Sequence, residues 1–331
     1  EGNENYKGVA PRAGLIGLKV LDREGGGSMS DVDQAIEWCI ENKDEYKIKV
    51  INLSLGTSGS SDGTDSTSML VNRATEEGIV AVVAAGNEGP APYTISSPGA
   101  AEQPITVGAM VDVGEGGYML ANFSSRGPTA DGRIKPDICG PGYNIKSADS
   151  ETEDGYIELS GTSMAAPYVA GTVALMLQAN KELAPDKVKD ILIGTAKDFG
   201  LKGKDSDFGA GRISVYDAIK EVINSHQEAP KQPEHKSWSG RLSGTENYKE
   251  YNINVDSFEY PIGLNLIILS WGDDRPDFDL YLYDPEGKII AESEGTNRQE
   301  NISYKPEKTG KYTIRVYSYR GKGDYVLDAS F

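Results

Sequence analysis

Ser163 sits in the run Gly161-Thr162-Ser163-Met164-Ala165-Ala166-Pro167, directly ahead of an apolar stretch from Tyr168 to Gln178 that reads as a helix. A hydroxyl in that position meets unpaired N–H groups and the positive end of the helix dipole. The small residues around it leave room for a carbonyl group to come close. Pro167 is compatible with the start of a helix, because the earliest N–H groups need no intrahelical partner. The competing explanation is an N-capping serine or threonine on a buried helix, which is common and which Gly-Thr-Ser alone would satisfy. The seven residues together exceed what a cap requires.

A second chemical group is acidic. Asp273, Asp274, Asp277 and Asp279 fall within seven residues. In the alternating segment Asp277 to Tyr283, Phe278, Leu280 and Leu282 share one face. Asp277 and Asp279 share the other, with α-carbons about 7 Å apart. The loop Gly272-Asp273-Asp274-Arg275-Pro276 could fold its carboxylates over that pair and take Ca²⁺, a cation held by about six to eight oxygens. A solvated acidic loop neutralised by Arg275 is the alternative. Cys39 and Cys139 are too few for a disulfide framework and read as buried thiols.

The elements that must position these groups change character along the chain. Leu15 to Leu21, Val50 to Leu55, Ile79 to Ala85 and Ile105 to Met110 are apolar on consecutive positions. Parallel strands covered on both faces have that pattern. Between the first two, Ser30 reads as the cap of a helix with Asp33 as its capping-box acid. Val32, Ile36, Cys39 and Ile40 form its apolar face. A further helix reads from Ser68 to Glu77 and stops at Gly78. Strand–helix alternation of this kind implies an α/β domain, assigned to residues 1–224. Residues 225–242 are polar, with prolines, and read as a linker. Short alternating segments with turns such as Asp284-Pro285-Glu286-Gly287 then imply an all-β sandwich over 243–331.

The totals agree with two domains: 331 residues exceed one ordinary core. A net charge of -18 excludes non-specific DNA binding, which needs clustered Lys and Arg, and marks a solvated acidic surface. No run of about 18 apolar residues exists to span a membrane as a helix.

The serine run resembles the nucleophile segment of the subtilase family, and other segments follow in that family's order from Gly8-Val9-Ala10-Pro11 to Ile223. Lys19-Val20-Leu21-Asp22 resembles the strand before a substrate-binding edge, and Gly25-Gly26-Gly27 that edge. Ser54-Leu55-Gly56 resembles the opposite wall of the specificity pocket, and Ala84-Ala85-Gly86-Asn87 the oxyanion-hole segment. Phe123-Ser124-Ser125-Arg126-Gly127-Pro128 and Lys135-Pro136-Asp137 fit as well. The resemblance implies a mainly parallel subtilisin-like sheet with helices on both faces, its N-terminal strands missing here. It also implies serine endopeptidase chemistry, with Ser163 as nucleophile and Asn87 as oxyanion donor. Bare backbone at Gly25 to Gly27 would let a protein or peptide substrate add as a strand. Met29 is then a lip for a more distant pocket, Glu88 stands near the mouth of the primary one, and Ser96 narrows it. Ser97-Pro98 is expected to be cis. Residues 243–331 resemble the β-jelly-roll or pre-peptidase C-terminal domains of secreted subtilases, which favours calcium at the aspartates. Secretion and an N-terminal propeptide partner follow from the same resemblance.

The sequence departs from the family in one respect. Subtilases use the chain order Asp, His, Ser, and the first two motifs belong ahead of Gly8. The only histidines here are His226 and His235, in the polar stretch and without the family's flanking residues. Residues 1–331 are therefore expected to hold the nucleophile and oxyanion hole but not the general base, the rest lying upstream. The alternative is a non-catalytic remnant whose β domain binds a partner or calcium. A missing strand between Leu15–Leu21 and Val50–Leu55 would leave inner sheet edges unpaired.

Overall fold

The computed structural model describes residues 7–112, 118–152, 155–224, 233–269, 276–296 and 299–331. They form two compact units. The first contains α1 (Met29–Glu41), α2 (Lys43–Tyr46), β1 (Val50–Leu53), α3 (Ser66–Glu76), β2 (Val80–Ala84), β3 (Ile105–Asp112), β4 (Tyr118–Leu120), β5 (Ile138–Pro141), β6 (Ile145–Ala148), β7 (Tyr156–Leu159), α4 (Thr162–Ala179), α5 (Pro185–Thr195) and α6 (Val215–Asn224).

β1, β2, β3 and β5 are parallel neighbours in that order, and β4 pairs antiparallel with the end of β3. Every residue of β2 is buried. Val80, Val82 and Ala84 pack into one core with α4, α5 and α6, while Ala81 and Val83 pack into another with α1 and α3. A strand with period-2 side chains and helices on both faces must be apolar throughout, which is why the apolar runs read correctly as β1, β2 and β3.

Three expectations need correction. Leu15 to Leu21 forms no strand, and Leu15 is 94% exposed. An apolar run becomes a strand only with a neighbour to pair with, and among the described residues β1 is paired on the β2 side alone. The cap of α1 is Ser28, whose side chain accepts from Ser30 N. Asp33 instead accepts from the hydroxyls of Ser66 and Thr67, tying α1 to α3. α3 begins at Ser66 because Asp65 caps it through Ser68 N.

A buried charge cluster locks β3 to the entry of β5. Asp137 is 1% exposed and accepts from Lys135 (2.6 Å), Lys204 (2.9 Å) and Thr106 N (2.9 Å), with Lys189 Nζ at 3.3 Å. Burial alone would raise the Asp137 carboxyl; the three lysines hold it far below the usual range. Burial pulls the Lys135 ammonium well down from its usual value, and Asp137 pulls it back.

The second unit contains β8 (His235–Leu242), β9 (Tyr248–Val255), β10 (Ile262–Ile268), β11 (Asp277–Tyr283), β12 (Ile289–Ser293), β13 (Gln299–Tyr304), β14 (Gly310–Arg320) and β15 (Gly323–Ser330). They make two antiparallel sheets, β13-β10-β15-β8 and β12-β11-β14-β9, around one shared core. Phe278, Leu280 and Leu282 enter that core as the alternation predicts. β8 occupies residues that read as linker. Its polar composition hides a strand that pairs over its whole length with β15, with Trp238 packed 5.0 Å from Tyr251.

Candidate active site

α4 starts at Thr162, six residues earlier than the apolar pattern indicates, so Ser163 lies in its first turn. Its N-cap, Gly161, has no side chain to offer. The cap comes from Asn87, just beyond β2: Asn87 Oδ1 accepts from Thr162 N and from Thr162 Oγ1, both at 2.9 Å. Two donors on Oδ1 fix the orientation of the amide, so Nδ2 points away with both N–H bonds available. Among the described residues neither Asn87 Nδ2 nor Ser163 N–H has a protein acceptor. The Cβ position of Gly161 lies 3.5 Å from Asn87 Nδ2 and 3.6 Å from Ser163 N, so the two free donors flank one point at the start of α4, a geometry in which both could donate to one oxyanion.

With α4 beginning at Thr162, Pro167 is inside the helix, where its missing N–H leaves the Ser163 carbonyl without its i+4 donor. Ser54 supplies a substitute. Ser54 Oγ donates to Ser163 O at 2.8 Å, and Ser163 Oγ donates to Ser54 O at 3.1 Å. This reciprocal pair pins the end of β1 to the first turn of α4 and aims the Ser163 hydroxyl. Sequence reasoning placed Ser54 on a wall but missed this contact; Pro167 four residues after Ser163 was the available signal.

The walls follow from close backbone approaches. Thr57 N donates to Ser97 O at 2.9 Å, and a Cβ on Gly56 would stand 2.7 Å from that carbonyl. Buried Ser96 places its Oγ 3.2 Å from the Cβ position of Gly86 and 3.3 Å from that of Gly56, between the two walls. Gly86 has φ +109, and Ser125 N donates to its carbonyl at 2.9 Å. Ala84 ends β2, and Ala85 N donates to Val107 O on β3. On the other side Asp22 N donates to Gly26 O at 2.8 Å, and Gly26 N donates to Asp22 Oδ1 at 2.8 Å. Gly25, with φ +81, turns this loop, and Gly27 admits no Cβ, which would stand 2.4 Å from Val20 O. Glu88 accepts from Gly59 N at 2.9 Å. The Ser97-Pro98 bond is cis, as expected.

The remaining candidates lie elsewhere. Asp273, Asp274 and His226 are outside the described residues. His235 is on β8, with Nε2 3.9 Å from Asp328. Asp277 and Asp279 are buried on β11, and Glu300 of β13, an acid that nothing in the sequence singles out, is buried near enough to interact with them through charge. Among the described residues Asp277 Oδ1 and Glu300 Oε1 are buried with no partner. Burial, then Asp277, Glu294 and Glu300, raise the Asp279 carboxyl to about 6. Among the described residues no three His, Cys, Asp or Glu side chains are grouped so as to hold a metal ion. Cys39 and Cys139 are free and buried.

Residues 1–211 match the model of the subtilase family. The chain belongs to the subtilase family. Within its second unit, residues 247–318 match the bacterial pre-peptidase C-terminal domain. The subtilase is 42% identical over 239 residues to serine protease AprX of Bacillus subtilis, an alignment covering 65% of this chain and 53% of AprX. It is 36% identical over 247 residues to pyrolysin of Pyrococcus furiosus, covering 64% of this chain and 17% of pyrolysin. The chain thus spans about half the length, or less, of these relatives. Among solved structures, sphericase superposes with a TM-score of 0.55 at 32% identity, over 62% of this chain and 69% of that one. No helix among the described residues is long and apolar enough to cross a membrane.

Proposed function

We propose that this chain is the nucleophile-bearing part of a secreted serine endopeptidase. Ser163 Oγ attacks the carbonyl of a bound peptide, and the oxyanion forms between Ser163 N–H and Asn87 Nδ2. Thr162 holds the Asn87 amide ready, so no reorganisation is needed when charge develops. The substrate lies as an extended strand against Gly25 to Gly27, with Ser54 to Gly56 opposite and Ala84 to Gly86 at the reacting end. The single observation that carries this reading is the pair of unpartnered donors beside a hydroxyl aimed by Ser54.

A neutral serine needs a base to take its proton, and that base needs an orienting carboxylate. Residues 7–224 contain no histidine. In this reading both groups come from sequence outside residues 1–331, and that segment also pairs with the open side of β1 and covers Leu15. The test compares the parent protein with residues 1–331 on casein. The parent hydrolyses it, its Ser163→Ala variant does not, and residues 1–331 alone do not. Hydrolysis by residues 1–331 would refute the division of labour; hydrolysis by Ser163→Ala would refute the assignment.

We also propose Ca²⁺ at Asp277 and Asp279, with Asp273 and Asp274 adjacent in sequence. Among the described residues two buried carboxylate oxygens, on Asp277 and Glu300, have no partner, which supports a cation site there. Calcium would raise the melting temperature of the second unit relative to EGTA. Identical melting curves would leave an acid cluster and no site.

A further inference from the structure

A cavity of about 520 Å³ opens beyond the two substrate edges, lined by Met29, Thr57, Ser61, Asp62, Thr64 and Asp65 among others, with no lysine or arginine in its lining. Thr57 follows Ser54 by three residues, which an extended chain covers in about 10 Å. A peptide running alongside, with its reacting carbonyl at Ser163, brings its third or fourth residue to this cavity.

Hydrogen bonding separates the two carboxylates into different roles. Asp65 is fully used: Oδ1 accepts from Ser68 N and Ser97 Oγ, and Oδ2 from Ser61 Oγ and Ser68 Oγ. It contributes fixed negative charge. Asp62 Oδ1 accepts from Thr64 N at 3.0 Å and Thr64 Oγ1 at 2.7 Å, which sets its carboxylate plane. Among the described residues no hydrogen bond reaches Asp62 Oδ2. The nearby cation makes no hydrogen bond to the Asp62 carboxylate: Arg133 Nη2 donates to the Asp62 main-chain carbonyl, Nε donates to Asp131, and Nη1 is buried without a partner among the described residues. Gly63, at φ +75, has its Cβ position 2.4 Å from Ala100 O, so the loop presenting Asp62 is packed tightly on its neighbour.

We propose that this cavity receives a lysine or arginine side chain of the substrate, three or four residues from the scissile bond; the proposal rests on the peptidase reading above. Met29 at the lip takes the methylene stem, and Asp62 Oδ2 takes the charged head. A carboxylate side chain meets two like charges. A leucine leaves Asp62 Oδ2 to water and offers the hydroxyl lining nothing. Asp62 is exposed, so the attraction is screened by salt and the preference is modest.

The experiment uses the parent protein and internally quenched peptides carrying Arg, Lys, Leu or Glu at each of the four positions on either side of the cleaved bond. The expected result is kcat/KM about two- to fivefold higher for Arg or Lys than for Leu at one position, three or four residues from the bond, and lowest for Glu. The Arg-to-Leu ratio falls towards one in Asp62→Asn, reverses for Glu in Asp62→Lys, and shrinks in high salt. Equal rates for all four side chains at those positions, or a ratio unchanged by Asp62→Lys, would overturn the inference and leave the peptidase reading standing. A protein that cleaves none of the peptides would overturn both.

Discussion

Replacing Asp137 by asparagine should destabilise the subtilase unit through charge rather than shape. Asparagine keeps the size of the side chain and can still accept from Thr106 N, which now bonds Asp137 Oδ2 at 2.9 Å. What disappears is the partner of three ammonium groups. Lys135 is 4% exposed and cannot reach water, whereas Lys189 and Lys204 are 19% and 33% exposed and can. Lys135 therefore dominates the loss. Removing one member of a buried pair costs about 3–5 kcal/mol, and screened pairs such as the other two add about 0–1 kcal/mol each. At about 2–4 °C per kcal/mol for a unit of this size, the transition should fall by about 6–28 °C. The sign of the pH dependence is a second check. A lysine whose folded pKa lies below its unfolded value costs stability at low pH, and the cost fades as pH rises towards the unfolded value of about 10.4. The parent and the variant share that unfolded value, so the difference between them changes only between their two folded values, the variant's lying below the parent's value of about 7. Scanning calorimetry of Asp137→Asn should thus show a deficit that is full at low pH and narrows as pH rises to about 7, and Lys135→Met added to it should recover most of the loss. A deficit under about 1 kcal/mol at about pH 5, or one independent of pH, would refute the reasoning.

Three further outcomes follow from the geometry. In the parent protein Asn87→Ala should lower kcat by about 10²–10³-fold with little change in KM, a magnitude that belongs to the subtilisin asparagine and is not read from these distances; a change confined to KM would remove Asn87 from the oxyanion hole. Gly27→Ala should weaken substrate binding and raise KM, since its Cβ would stand 2.4 Å from Val20 O; an unchanged KM would take the substrate off this edge. Asp279 is raised to about 6, by burial first and then by neighbouring carboxylates. A carboxyl raised above its unfolded value stabilises fully below about pH 4, and that stability is lost as pH rises through about 6. Asp279→Asn should therefore gain on the parent second unit between pH 4 and pH 7 in EGTA, and calcium should erase the gain; an equal effect at both pH values would refute the account.

The strands that cross the middle of the sheet were legible because burial on both faces leaves no alternative to continuous apolar residues. The edge was not: Leu15 to Leu21 is mostly apolar, as β2 is, but has no strand neighbour among the described residues, and pairing is a property of the surroundings rather than of the segment. β8 failed in the opposite direction, since its register with β15 makes a strand of residues whose polarity reads as linker. Ser163 and Asn87 were legible only through motif order. Nothing local to either residue states that Asn87 caps the helix through Thr162, and the Ser54 contact joins residues 109 apart in sequence. The Asp137 cluster was half legible, in Lys135-Pro136-Asp137, while Lys189 and Lys204 arrive from distant loops and helices.

The central claim is that Ser163 is the nucleophile of the parent protein. Treating that protein with a fluorophosphonate and mapping the adduct by peptide mass spectrometry tests it most directly. The account predicts one phosphonyl group, on Ser163, accompanied by complete loss of peptide hydrolysis. An adduct on a different residue, or full hydrolysis retained with Ser163 modified, would contradict it.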